Sequence, residues 1–168
     1  PSAHRLERAS YVGFGLPGVV VGLSLVYFGA NFAPWLYQTL ALLVFAYAVR
    51  FLPEAMGAAR GSLVQISPRL EEAARGLGMS PLRTALRVLF PLARPGILAG
   101  AALVFLTVLK ELPLTLMLAP TGFHTLATGI WSATSEAFYA RAALPALILL
   151  AVSSLSVAVI LSQDRNHA

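Results

Sequence analysis

The sequence predicts an all-α, polytopic transmembrane helical bundle of about four spans, with a long polar loop between spans 2 and 3. Composition is the first reason. The chain of 168 residues is 58% hydrophobic and 11% charged, with mean hydropathy +0.77, where soluble domains hold about 45–50% apolar and about 25% charged residues. Charge spacing is the second reason: no Asp, Glu, Lys or Arg occurs in the 41 residues between Arg8 and Arg50. Cysteine is absent, which excludes disulfides, iron–sulfur clusters and thiolate metal sites. Because the first residue is Pro1 rather than Met, residues 1–168 are expected to be one transmembrane domain and a piece of a longer chain.

Each span follows from length and breakers. A helix needs about 20 apolar residues to cross a core of about 30 Å, so the 41-residue run holds two spans and a turn. The turn reads as Gly29-Ala30-Asn31-Phe32-Ala33-Pro34-Trp35, with Trp35 as an interfacial anchor. Span 1 is placed at Tyr11 to Phe28 and span 2 at Trp35 to Leu52. Span 3 runs from Pro95 to Leu109, where it meets Lys110, Glu111 and Pro113; span 4 runs from Ala142 to Leu161. A cleavable signal peptide explains the start less well, since the apolar stretch outruns such a segment. Pro17 and Pro145 fall in the first turns of their spans, as helix starts or as gating kinks. Gly18-x-x-x-Gly22 and Gly96-x-x-x-Gly100 allow close helix approach, within the chain first and across a dimer seam second.

Eleven of the twelve bases are arginine, and their placement orients the bundle. The segment from Arg50, at the end of span 2, to Arg94 holds seven: Arg50, Arg60, Arg69, Arg75, Arg83, Arg87 and Arg94. Arg5 and Arg8 precede span 1, and Arg165 follows span 4. Four spans put all ten on one face and leave Lys110 and Arg141 for the other. The positive-inside bias makes the ten-base face cytoplasmic, with both termini inside.

The loop, residues 53–94, has its own pattern. Ser67 is the expected N-cap of a short helix, with Pro68 in its first position, Glu71 and Glu72 near the positive end of its dipole, and Gly78 as its stop. Ser80 and Pro81 open a second helix with Leu82, Leu86 and Leu89 on one face, which Pro91 and Pro95 are expected to end. Such a glycine-cornered pair suits docking of a soluble partner.

Glu72-Ala73-Ala74, three residues, Gly78, nine residues, then Val88-Leu89-Phe90-Pro91 resembles the EAA signature of ABC importer permeases. There the pattern ends in Ile-x-Leu-Pro, so Val88 and Phe90 are conservative replacements. The resemblance implies that Glu72, Ala73, Ala74, Gly78 and Pro91 belong to coupling helices seated in a groove of a cytoplasmic ABC ATPase dimer. It also implies a periplasmic or lipid-anchored binding protein, a second permease half, surrounding membrane lipid and a bacterial inner-membrane location. Lys110-Glu111-Leu112-Pro113, Pro120-Thr121-Gly122-Phe123, Leu126-Ala127-Thr128 and Trp131 are similar to the ferric-iron type of permease, best to the C-terminal half of such a chain. Related permeases for thiamine, polyamines or phosphonates share much of this layout.

Other function classes find less support. A glycine-cornered helix pair with arginines is also the outline of a helix-turn-helix DNA reader, but the flanking spans would press it against the bilayer, so no nucleic acid partner is expected. His4, His124 and His167 are scattered, no catalytic or metal-binding motif appears, and no cofactor is expected. Without a phosphate-binding glycine loop, ATP hydrolysis belongs to a separate partner.

Lys110 and Glu111 lie 16 and 17 residues beyond Arg94, about 24 Å at 1.5 Å per residue. That depth falls near the outer boundary of the core. Intramembrane charges usually face protein or a water-filled cavity, so Lys110, Glu111 and Pro113 are candidates for the transport path, with Glu111 lining an outer gate and Pro113 bending the chain. The alternative leaves Lys110 snorkelling to headgroups and Glu111 solvated. One carboxylate makes a poor ferric site, so no metal ligand is assigned.

Overall fold

A computed structural model describes residues 17–165, with side-chain surroundings to residue 158. The elements are α1 (Gly18–Phe32), α2 (Leu40–Val64), α3 (Pro68–Gly76), α4 (Pro81–Leu109), α5 (Pro113–Leu118), α6 (Leu126–Ser135) and α7 (Tyr139–Arg165). All are helical. Three are long and apolar enough to cross a membrane: α2, α4 and, over Tyr139–Ala158, α7; α1 is a shorter apolar helix. The expected start of span 1 at Tyr11 lies outside the described residues, as do Arg5, Arg8, His4 and His167.

Helix boundaries differ from expectation where local rules met stronger packing. Gly29 to Phe32 belong to α1, because its carbonyl ladder runs on until Ala33 N–H bonds Gly29 O at 3.2 Å. Span 2 begins at Leu40, capped by the Thr39 hydroxyl, and continues through Pro53 to Val64. Arg50 is therefore a mid-helix residue rather than one near the end of its helix. Pro91 and Pro95 do not end the Ser80 helix. A π-helical turn over Ala85–Leu89 carries Phe90 N–H back to Ala85 O, and such a widened turn relieves the clash a proline makes with the carbonyl four residues earlier. Pro145 sits inside α7, beyond its first turn, whereas Pro17 caps α1 as expected. Ser67 precedes α3 without a side-chain cap, while Ser80 does accept from Arg83 N–H.

Two helix pairs build the bundle. α2 and α4 run antiparallel, with Gly96 against Ser62 and Gly100 against Ala58, so close that a Cβ at either glycine would clash. Near the other end α5 fills the wedge between α1 and α2, where Val21, Leu42, Leu43, Ala46, Leu114 and Leu118 form the buried core. A Cβ at Gly22 would meet Met117 Sδ at 2.7 Å. Both glycine motifs thus serve contacts within the chain. α7 packs on α6 and α4 and leaves Leu144, Leu147, Leu150 and Leu155 exposed, as a lipid-facing helix does. Exposed Tyr27, Phe28, Phe32 and Trp35 ring the end of the bundle opposite α3, the placement of an interfacial aromatic belt.

Candidate functional site

The α3 corner is built by backbone chemistry. Gly78 has φ +79°; its N–H bonds Arg75 O at 2.9 Å, and Met79 N–H bonds Ala74 O at 3.1 Å. That is a Schellman stop, which needs the left-handed conformation glycine adopts without penalty. Ala74 is buried on α3 and Thr84 is buried on α4, where the two helices pack. Glu72, Ala73, Gly78 and Pro91 are exposed. Leu77 is 84% exposed at the corner, and Leu82 and Leu86 continue an apolar strip along α4. Glu71 pairs with Arg75 one turn on, leaving the Glu72 carboxylate outward.

A second constellation crosses the bundle interior. Arg50 Nε lies 3.7 Å from Glu111 Oε2, with the two side chains 22% and 10% exposed. Leu114 N–H donates to Glu111 Oε1 at 3.2 Å, so the same carboxylate caps α5. One level toward the aromatic end, Tyr47 and Thr115 share a hydroxyl–hydroxyl hydrogen bond. One level toward α3, Thr107 Oγ1 donates to Glu54 Oε1 at 3.0 Å. Gly18 closes the site from α1: a Cβ there would lie 3.0 Å from Glu111 Oε1 and 3.4 Å from Arg50 Nε.

The structure separates two residues that the sequence put side by side. Glu111 turns into the bundle toward Arg50, where its side chain is shielded from solvent. Lys110 is exposed, and Pro113 opens α5 at its first position, after the break at residues 110–112. Depth also changes. Arg50 stands ten residues into α2, about 15 Å below its Leu40 end, and Gly18 lies fourteen residues, about 21 Å, below the end of α1 at Phe32. The apolar helix α5 continues the chain beyond Glu111.

Sequence reasoning missed Tyr47, Arg50, Glu54, Thr107 and Thr115. The signal was present: 47, 50 and 54 share one helical face within an apolar run, and 107, 111 and 115 repeat every four residues. Among the described residues no cluster of three or more His, Cys, Asp or Glu could hold a metal ion.

Helical spans, an exposed capped corner and a polar layer inside the bundle together define a polytopic helical membrane protein. The chain belongs to the family of binding-protein-dependent transport system inner membrane components, whose model matches residues 3–166. It is 39% identical over 152 residues, 90% of this chain, to an Fe(3+)-transport system permease protein of Haemophilus influenzae, and it spans 30% of that protein's length. Two putative 2-aminoethylphosphonate transport system permease proteins of Salmonella typhimurium are also similar. One is 32% identical over 143 residues, 83% of this chain and 50% of that protein; the other is 28% identical over 150 residues, 89% and 57%. The chain is a multi-pass helical membrane segment of that family and spans about a third to somewhat over half the length of these relatives.

Proposed function

We propose that the chain is the transmembrane half of an ATP-driven importer, passing ferric iron handed over by a binding protein. The carrying observation is mechanical. The exposed Glu72–Leu77 face sits on a helix anchored by Ala74 and Thr84 to the base of α4, a 29-residue helix that runs without interruption into the bundle. An ATPase dimer closing on α3 would move α4 as a rod, and the tight seam at Gly96 and Gly100 would carry α2 with it. Arg60, Arg69, Arg75, Arg83, Arg87 and Arg94 cluster at this end, which supports a cytoplasmic α3. Lys110, Glu111 and Pro113, at the hinge between α4 and α5, belong to the part of the path that responds. A phosphonate is the second reading of the cargo, favoured by the two Salmonella relatives.

The test is uncoupling. Gly78→Val, which strains the left-handed corner, and Glu72→Arg, which reverses the outward charge, should insert normally and abolish uptake in the full-length permease assembled with its partners. Wild-type uptake in both, at equal expression, would remove α3 from the mechanism.

A further inference from the structure

We infer that the wide turn at Ala85–Leu89 is an aiming device: its one extra residue rotates the start of α4 so that α3 can seat on α4 while tied to the end of α2. Three observations carry it. α2 ends at Val64 and α3 starts at Pro68, so four Cα steps of at most about 3.6 Å keep the two ends within about 14 Å. α3 packs on the first turn of α4, where Ala74 and Thr84 are both buried. Farther along, α4 meets α2 through Gly96 against Ser62 and Gly100 against Ala58.

The two contacts on α4 must therefore share a side, and an unbroken α-helix would not allow it. At about 100° per residue, Gly96 and Gly100 would stand about 120° and 160° around the axis from Thr84. The turn closes from Phe90 N–H to Ala85 O, five residues back, and so adds one residue without advancing the helix. Everything beyond it is set back by about 100°, which brings Gly96 and Gly100 to about 20° and 60° from Thr84. Without the extra residue α3 and α2 would lie on opposite sides of α4, about 16–20 Å apart at interaxial distances of about 8–10 Å. That exceeds the reach of the short link between them. Residue count thus fixes the seat, and Pro91, whose ring an ordinary turn would press against the Arg87 carbonyl, makes the wide turn the relaxed one. The functional consequence rests on the permease reading above: a push on α3 reaches α2 and α4 together only while α3 is seated.

The experiment uses the full-length permease in a cysteine-free background, assembled with its ATPase and binding protein. Deletion of the exposed Leu86 together with Pro91→Ala removes the extra residue and the ring that an ordinary turn would meet. Spin labels at Gly61→Cys and Leu98→Cys, both exposed positions, report the α2–α4 seam, and their separation should not change. Ala74→Cys, slow toward a water-soluble thiol reagent in the parent, should then react about tenfold faster or more, approaching Gly76→Cys, whose position is open. Pro91→Ala alone keeps the residue count and should leave Ala74→Cys protected. Protection of Ala74→Cys in the deletion with the seam intact, or its exposure by Pro91→Ala alone, would overturn the inference. If the deletion does not insert, a density map of the unaltered assembly decides, and Thr84 on the side of α4 opposite Gly96 sinks the idea. Failure of the underlying permease reading looks different: uptake would then stay at the wild-type level although Ala74→Cys has become reactive.

Discussion

At the scale of single residues, Glu111 shows how one carboxylate can serve several elements. It neutralises Arg50 on α2, caps α5 and packs under Gly18 of α1. Removing one member of a buried pair takes away part of the other charge's compensation, which costs more than the pair itself contributes. Glu111→Ala should therefore lower uptake by about tenfold or more, equivalent to about 1.4 kcal/mol in a barrier. The exchange Arg50→Glu with Glu111→Arg should restore part of it, and if both forms transport equally poorly the pair is not the reason. Ala137 offers a separate check. It ends α6 with φ +62°, and Phe138 N–H bonds Ala133 O at 2.8 Å in the same Schellman geometry that Gly78 adopts. A Cβ in that conformation costs about 1–2 kcal/mol, so Ala137→Gly should raise thermal stability in detergent by about 1 kcal/mol. Nothing in the local sequence marked Ala137, since alanine is the strongest helix former and this site requires the opposite conformation.

At the scale of elements, the α2–α4 seam is the most constrained contact. Gly100→Leu would drive a side chain into Ala58, and overpacking of this kind costs about 1–3 kcal/mol or displaces the helix. Lower yield and lower midpoint of thermal unfolding are expected, with uptake reduced in proportion to the loss of folded protein. Gly61, on α2, serves as the control, because a Cβ there would meet no atom within 4 Å: Gly61→Ala should lower neither. The small-residue spacing of Gly96 and Gly100 was legible, but their partners Ala58 and Ser62 were not. Those two sat in a stretch read as loop, because Pro53, Glu54 and Arg60 resemble a span's end. Helix α2 runs on because Pro53 is buried and Glu54 has a hydroxyl partner on α4. Likewise Pro91 and Pro95 looked like terminators, and only the π-turn before them lets α4 continue.

At the scale of the whole molecule, the arginine distribution predicts that α3 faces the cytoplasm. Single cysteines test this in a cysteine-free background. Gly61→Cys should be protected from a membrane-impermeant thiol reagent in intact cells and react in inside-out vesicles, and Asn31→Cys and Thr121→Cys should do the reverse. Labelling of Gly61→Cys in intact cells would invert the bundle and take the α3 mechanism with it.

The sequence alone determined the class of solvent, the helical architecture, the number of apolar segments and the corner at Gly78. These depend on local composition and on short-range backbone geometry, which one segment expresses without its neighbours. The EAA spacing belongs with them. Tertiary structure decided which charges meet. Arg50 and Glu111 are 61 positions apart, and their pairing depends on the antiparallel register of α2 and α4, on α5 reaching past them and on Gly18 leaving room. It also decided burial, because how far a charge is shielded depends on every helix beside it and not on the count of apolar residues before it. Adjacent residues on a chain can thus face opposite surroundings: Glu111 turns into the bundle, and Lys110 turns out of it.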